Sequence, residues 1–149
     1  MFDFEMKLPR SLENVEEKIS RASLETVVEA APVIRDEMVS RTRRGQSVSG
    51  GSFAPYSEKY EKRRRKLGLP TSPVDLTVTG AMLDLETRIS QEGSGASVRF
   101  STPSAADDYA SVHQEGGNGI PQRKFLGMSE QQQGSFKERL IRNILDIFR

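Results

Sequence analysis

The chain has one imidazole, His113, and its nearest carboxylates in sequence are Asp107, Asp108 and Glu115. An acid–base pair or a metal site would need these groups on one face. On a helix, however, the neighbours of residue 113 are 109 and 117, so no ligand set emerges. His113 is therefore expected to fix a loop through a ring nitrogen, not to catalyse. A nuclease with a metal at Asp107 and Asp108 is the third-ranked reading. Ser47, Ser49 and Ser52 stand without a histidine-base motif, which leaves nucleophilic catalysis without support. The absence of cysteine removes thiolate chemistry, disulfides and cysteine-bound zinc. The expectation is a non-enzyme with no catalytic residue, metal or cofactor.

Two other stretches read as binding elements. Residues 113–129, "HQEGGNGIPQRKFLGMS", are rich in glycine, but the Walker pattern lacks its Lys-Ser/Thr pair and the dinucleotide fingerprint lacks its flanking strand and helix. These glycines are expected to supply positive φ or close backbone approach. "KRRRK", residues 62–66, adds Lys62, Arg63, Arg64, Arg65 and Lys66 to Lys59, a set able to contact phosphates with salt-dependent affinity. Tyr56 and Tyr60 could stack on bases, or form the apolar side of a short helix. The charge distribution offers another partner. Residues 1–40 hold 5 Lys/Arg against 9 Asp/Glu, residues 41–66 hold 9 against 2, and the rest hold 8 against 10. The acidic first forty residues of a neighbouring copy could face this basic stretch. Sequence-specific DNA binding is not expected; non-specific contact stays open.

These residues need elements to position them. Val15, Ile19 and Ala22, then Leu24, Val27, Val28, Ala31, Ile34 and Met38, recur at spacings near three and four, which predicts an amphipathic helix over residues 12–43. Ser11 is its expected N-cap, Glu13, Glu16 and Glu17 complement its dipole, and Pro32 should kink or divide it. Residues 45–57 are too rich in glycine and serine for regular structure and read as a long flexible loop. Ser57 then caps a short basic helix ending at Gly68. After the prolines of "LPTSPV", a helical turn over residues 81–86, with Thr79 as cap, leads into a strand. A hairpin closes around residues 93–95, and a short helix is expected within residues 104–115. Residues 120–128 are extended. Ser129 and Gln132 form a capping box for a last helix whose stripe is Phe136, Leu140, Ile141, Ile144, Leu145 and Phe148.

The fold class predicted is α+β: a long kinked N-terminal helix and a C-terminal helix packed on a small antiparallel sheet, with a long central loop. The 149 residues fit one domain. Hydrophobic residues are 35% and charged residues 29%, a lean core that neighbouring copies would complete. No apolar run can cross a bilayer, and "MFDFEMKLPR" lacks the basic start and apolar stretch of a signal peptide, so the reading is a soluble chain with no membrane partner.

Three ordered motifs carry a family resemblance. "YASVHQEGGNGIPQRKFLGMS", "GGSFAPYSEKYEKRRRKLG" and "LTVTGAMLDLETRIS" resemble the signature segments of the phage virion morphogenesis family, the tail-completion proteins of Mu-like and related tailed phages. Tyr56, Met82 and Lys124 depart from the residues commonest there. The resemblance implies a structural virion protein of the tail or neck, assembled in the host cytoplasm. It would complete the head-proximal end of the tail, as tail terminator or completion factor, and mediate head–tail joining. By family analogy it forms a homo-oligomeric ring of six copies around the DNA channel, with tail-tube and neck or head-completion proteins as partners. The competing reading is a small non-specific nucleic-acid-binding protein using the basic helix.

On this basis His113, Gln114, Ile120, Pro121, Arg123, Phe125 and Leu126 form the expected partner interface. Ile120, Pro121, Phe125 and Leu126 would lie exposed until a partner covers them, Arg123 would pair with a partner carboxylate, and residues 116–119 would act as a hinge. Phe125→Ala should then leave a soluble protein that fails to assemble. The 45–56 loop and basic helix would face DNA, the tube or the neck.

Overall fold

The computed structural model describes residues 10–149, apart from the side chains of residues 10–13 and 107. The reading of the first nine residues and the Glu13 side chain fall outside what is described, and the Ser11 cap is corrected, since the helix already begins at Arg10. Helix α1 (Arg10–Arg43) is followed by α2 (Glu58–Lys66), strands β1 (Glu86–Glu92) and β2 (Gly95–Ser101), α3 (Asp107–Glu115) and α4 (Glu130–Asp146). Short 3-10 turns stand at Ala81–Leu83 and Ser104–Ala106. The class is α+β.

The inner face of α1 buries Ala22, Thr26, Ala30, Ile34, Met38 and Arg41, a helical repeat of three and four. Its buried hydroxyls are satisfied within the helix: Thr26 Oγ1 donates to the Ala22 carbonyl and Thr42 Oγ1 to that of Met38, at 2.7 and 2.8 Å. Pro32 does not divide the helix, which runs unbroken for 34 residues. The proline sits on the exposed face, where water can satisfy the carbonyl freed one turn earlier.

Both the hairpin and α4 pack on α1. The strands are antiparallel with Ile89 opposite Val98 and Glu92 opposite Gly95, and the hairpin tip reaches Ser20 of α1 through Gln91. The α4 cap is a full capping box: Ser129 Oγ accepts from Gln132 N–H, and Gln132 Oε1 accepts from Ser129 N–H. Ser57 Oγ caps α2 by accepting from Tyr60 N–H, and Thr79 Oγ1 accepts from Ala81 N–H.

Irregular segments supply most of the larger core cluster. Phe53, Tyr56, Val74, Leu76, Phe125 and the turn residues Met82 and Leu83 gather there with Ala106 and Ala110. Ala30, Ile34, Met38 and Leu85 form a second cluster, and Val39 and Leu126 pack against both. The expected flexible loop is therefore corrected. Residues 45–56 are pinned by a bridge between Gln46 and Ser52, by Phe53 N–H donating to Gly45, and by Val48 N–H donating to the Lys124 carbonyl. Phe53 and Tyr56 anchor the segment by burial.

By contrast, no residue of α4 is buried. Its stripe meets α1 on one side, with Asn143 Nδ2 donating to Thr26 Oγ1 at 2.8 Å, while Ile141, Leu145 and Phe148 stand exposed.

Candidate functional site

Three buried arginines hold the irregular segments in place. Arg64 is 1% exposed. Its Nε donates to the Pro70 carbonyl and its Nη1 to that of Thr77, both at 2.7 Å, while Nη2 meets Asp75 Oδ1 at 2.9 Å. Arg123 Nε and Nη2 donate to the carbonyls of Ala54 and Pro55 at 2.9 and 2.8 Å. Arg41 Nη2 donates to those of Phe125 and Gly127 at 3.0 and 2.9 Å. Only a planar fork with five donors can serve several loop carbonyls at once. Burial pulls Arg41 and Arg123 below the usual arginine range.

Tyr56 is the hub between two of these arginines. The guanidinium carbons of Arg64 and Arg123 lie over its ring at 4.7 and 5.5 Å, and Tyr60 meets it edge-on with centroids 5.1 Å apart. Its hydroxyl accepts from Leu76 N–H and donates to Asp75. Burial raises this phenol above its ordinary value, which keeps the proton on the donor. Of the two readings of Tyr56, base stacking and an apolar side, the structure bears out the apolar one, with Tyr56 in the core.

The signature segment is held from within as well. Gln114 Oε1 accepts from both Phe125 N–H and Leu126 N–H, and its Nε2 donates to the Leu126 carbonyl, all at 3.1 Å. Arg123 N–H donates to the His113 carbonyl. His113 Nδ1 lies 3.4 Å from Arg123 Nη1, and burial, then the Arg123 charge, push the imidazole below its usual value. Among residues 116–119, Gly117 and Ile120 exchange two backbone hydrogen bonds in a closed turn. Gly116, at φ 78°, sits so close to Gln122 that a Cβ would come within 3.1 Å of its backbone nitrogen.

The premise that Phe125 lies exposed is overturned. It is 1% exposed within this single chain, Leu126 is half-buried against both core clusters, and the Arg123 guanidinium is spent on loop carbonyls instead of a partner carboxylate. Gln114 is likewise occupied internally. Arg64 is removed from the basic surface for the same reason, so Lys59, Lys62, Arg63, Arg65 and Lys66 are its exposed members.

Ile120 and Pro121 remain exposed, and the fold brings them to the basic helix. A cleft of about 1020 Å³ has α2 on one side, the 78–82 segment beneath and α3 with the 119–121 turn opposite. Leu67, Val78, Tyr109 and Ile120, all large apolar side chains left exposed, line it together, and Tyr109 is 72% exposed. Among the described residues its cations are Lys59, Arg63, Arg64 and Arg123, and no carboxylate lines it. His113 and Pro121 also reach its wall. The two candidate sets, separated by about fifty residues in sequence, thus share one apolar cleft with a positive rim. Sequence reasoning missed Leu67, Val78 and Tyr109 as site residues, although all three stand inside the motifs that carry the resemblance, and it missed Arg41 inside its helix.

Among the described residues, no three His, Asp or Glu side chains stand together as metal ligands, and no helix is long and apolar enough to cross a membrane. Asp108 is exposed, and the Asp107 side chain lies outside what is described. The arrangement is suited to holding an apolar, acidic surface. The sequence model of the phage virion morphogenesis family matches residues 6–145, nearly the whole chain. No curated protein and no solved structure matches.

Proposed function

Because this chain belongs to the phage virion morphogenesis family, and so serves phage virion structure or assembly, we propose that it completes the head-proximal end of the tail and joins it to the head. In this reading it is a structural, non-catalytic protein of the tail or neck that works as a homo-oligomeric ring around the DNA channel, with the tail tube and neck proteins as partners. The observation that carries the reading is the cleft, which gathers Leu67, Val78, Tyr109 and Ile120 under a cationic rim in a chain with a family match of this extent. Exposed apolar side chains gathered in one groove mark a surface that another protein covers.

A phage lacking this gene product should accumulate filled heads and unjoined tails, seen by negative-stain microscopy of the lysate, and complementation should restore whole particles. Joined particles at normal yield without the protein would contradict the reading.

The exposed cations of α2 favour a second reading, non-specific contact with duplex DNA, because each phosphate contact releases counterions. It has lost Arg64 and Tyr56 to the core. Duplex binding that weakens steeply with added salt, in a phage whose heads and tails join without the protein, would favour it.

A further inference from the structure

We infer that the cleft receives the outer face of helix α1 from a second copy of this chain, in a head-to-tail contact. The inference rests on the ring reading above and says which surfaces make the ring. It comes from two faces of the same molecule that match in shape class and are opposite in charge.

The receiving face is the cleft itself, apolar over most of its lining, with Lys59 and Arg63 exposed at its rim and no carboxylate among the described residues. Neither rim cation has an ion-pair partner among the described residues. The inserting face lies on the side of α1 opposite the core. Glu25, Val28, Glu29, Pro32 and Val33 follow one another at helical spacing, all exposed, with Val28 at 50% and Val33 at 63%. They form a short apolar ridge flanked by carboxylates. Glu25 and Glu29 likewise have no ion-pair partner among the described residues. An amphipathic helix laid in an apolar groove is a recurring recognition mode, read through anchors at this spacing. Opposite charge around the anchors sets orientation and raises the association rate.

The other exposed apolar helix face is a poorer fit. Ile141 and Leu145 of α4, with Phe148 just beyond it, are interleaved with Glu138, Arg142, Asp146 and Arg149, so that face offers no net charge opposite to the rim. The apolar lining likewise favours a protein occupant over a nucleic acid, which would present phosphates to it.

A contact between two different faces leaves each copy with one of each, so it propagates, and a rotation that closes gives a ring. This yields a test that a symmetric contact would not pass. Two full-length variants are made, Lys59→Glu with Arg63→Glu, and Glu25→Lys with Glu29→Lys. All four side chains are exposed, so thermal unfolding should match the wild type. Sedimentation should show the wild type as a closed oligomer, each variant alone as a monomer, and their mixture regaining the closed oligomer, because the intact cleft of one meets the intact ridge of the other and the two reversed faces are again opposite in charge.

A wild-type oligomer that persists in both variants would overturn this docking and leave the ring reading standing. A wild-type chain that stays monomeric alone and on purified tails would overturn both. Rings that survive Lys59→Glu with Arg63→Glu, while salt-dependent binding of a duplex oligonucleotide is lost, would assign the cleft to nucleic acid and overturn the docking.

Discussion

The glycine-rich and proline-rich middle of the chain and its C-terminal helix invert what their sequences look like. Residues 45–56 and 116–128 have little regular structure, yet they contribute Phe53, Tyr56, Arg123 and Phe125 to the buried set. Helix α4 has a clean apolar stripe and a full capping box, yet none of its residues is buried. Periodicity tells which side chains share a face, but whether anything covers that face is a property of the fold. Irregular backbone can be buried only if its carbonyls find donors, and here Arg41, Arg64 and Arg123 supply them. The difference sorts the molecule into a locked scaffold and exposed apolar faces.

The largest effect that would break this contrast is at Arg64. Arg64→Ala leaves the carbonyls of Pro70 and Thr77 without this donor and takes the guanidinium from Asp75, whose Oδ1 keeps the Tyr56 hydroxyl and Thr77 N–H. Each buried group left unsatisfied costs about 1–3 kcal/mol, and the space vacated by the guanidinium adds to that, so denaturant unfolding should find the variant barely folded. Phe125→Ala comes next. It removes a fully buried ring at a cost of about 3–5 kcal/mol, so it should lower the unfolding midpoint, which replaces the expectation of a stable protein defective only in assembly.

A milder probe of the scaffold is pH. Burial and Arg123 hold His113 below its usual 6.5, so between 6.5 and the folded value the unfolded chain binds more protons. Stability should be full above 6.5 and fall as pH drops through that window. His113→Gln should flatten this part of the profile in thermal melts. The smallest effect is expected on the exposed helix. Leu145 is 53% exposed, and Leu145→Ser should change stability by no more than about 0.5 kcal/mol, as surface substitutions do.

Much of the fold was legible in the sequence. Ser57, Gly68, Ser129 and Gln132 carry cap chemistry that depends only on neighbours in the chain, and the structure places α2 and α4 where those caps require. The hairpin follows in the same way from alternation around residues 93–95. Burial was not legible, because it depends on contacts between distant segments. A run of five cations gives no sign that Arg64 alone turns inward to Asp75 while its neighbours stay in water. Nor does "RKFLG" show that Arg123 and Phe125 point into the core when Ile120 and Pro121 do not. The cleft was half legible: its residues were named in two separate lists, and only the fold, which brings α2 and α3 to the walls of one cleft, joins them.

The central claim is that the exposed apolar lining of the cleft is kept for another virion component. The most direct measurement is particle assembly by full-length Tyr109→Ser with Ile120→Ser, two side chains that the scaffold does not use. The account predicts a melting profile like that of the wild type, together with tails that do not join heads when the variant replaces the wild-type protein. Normal yields of whole particles from that variant would contradict it.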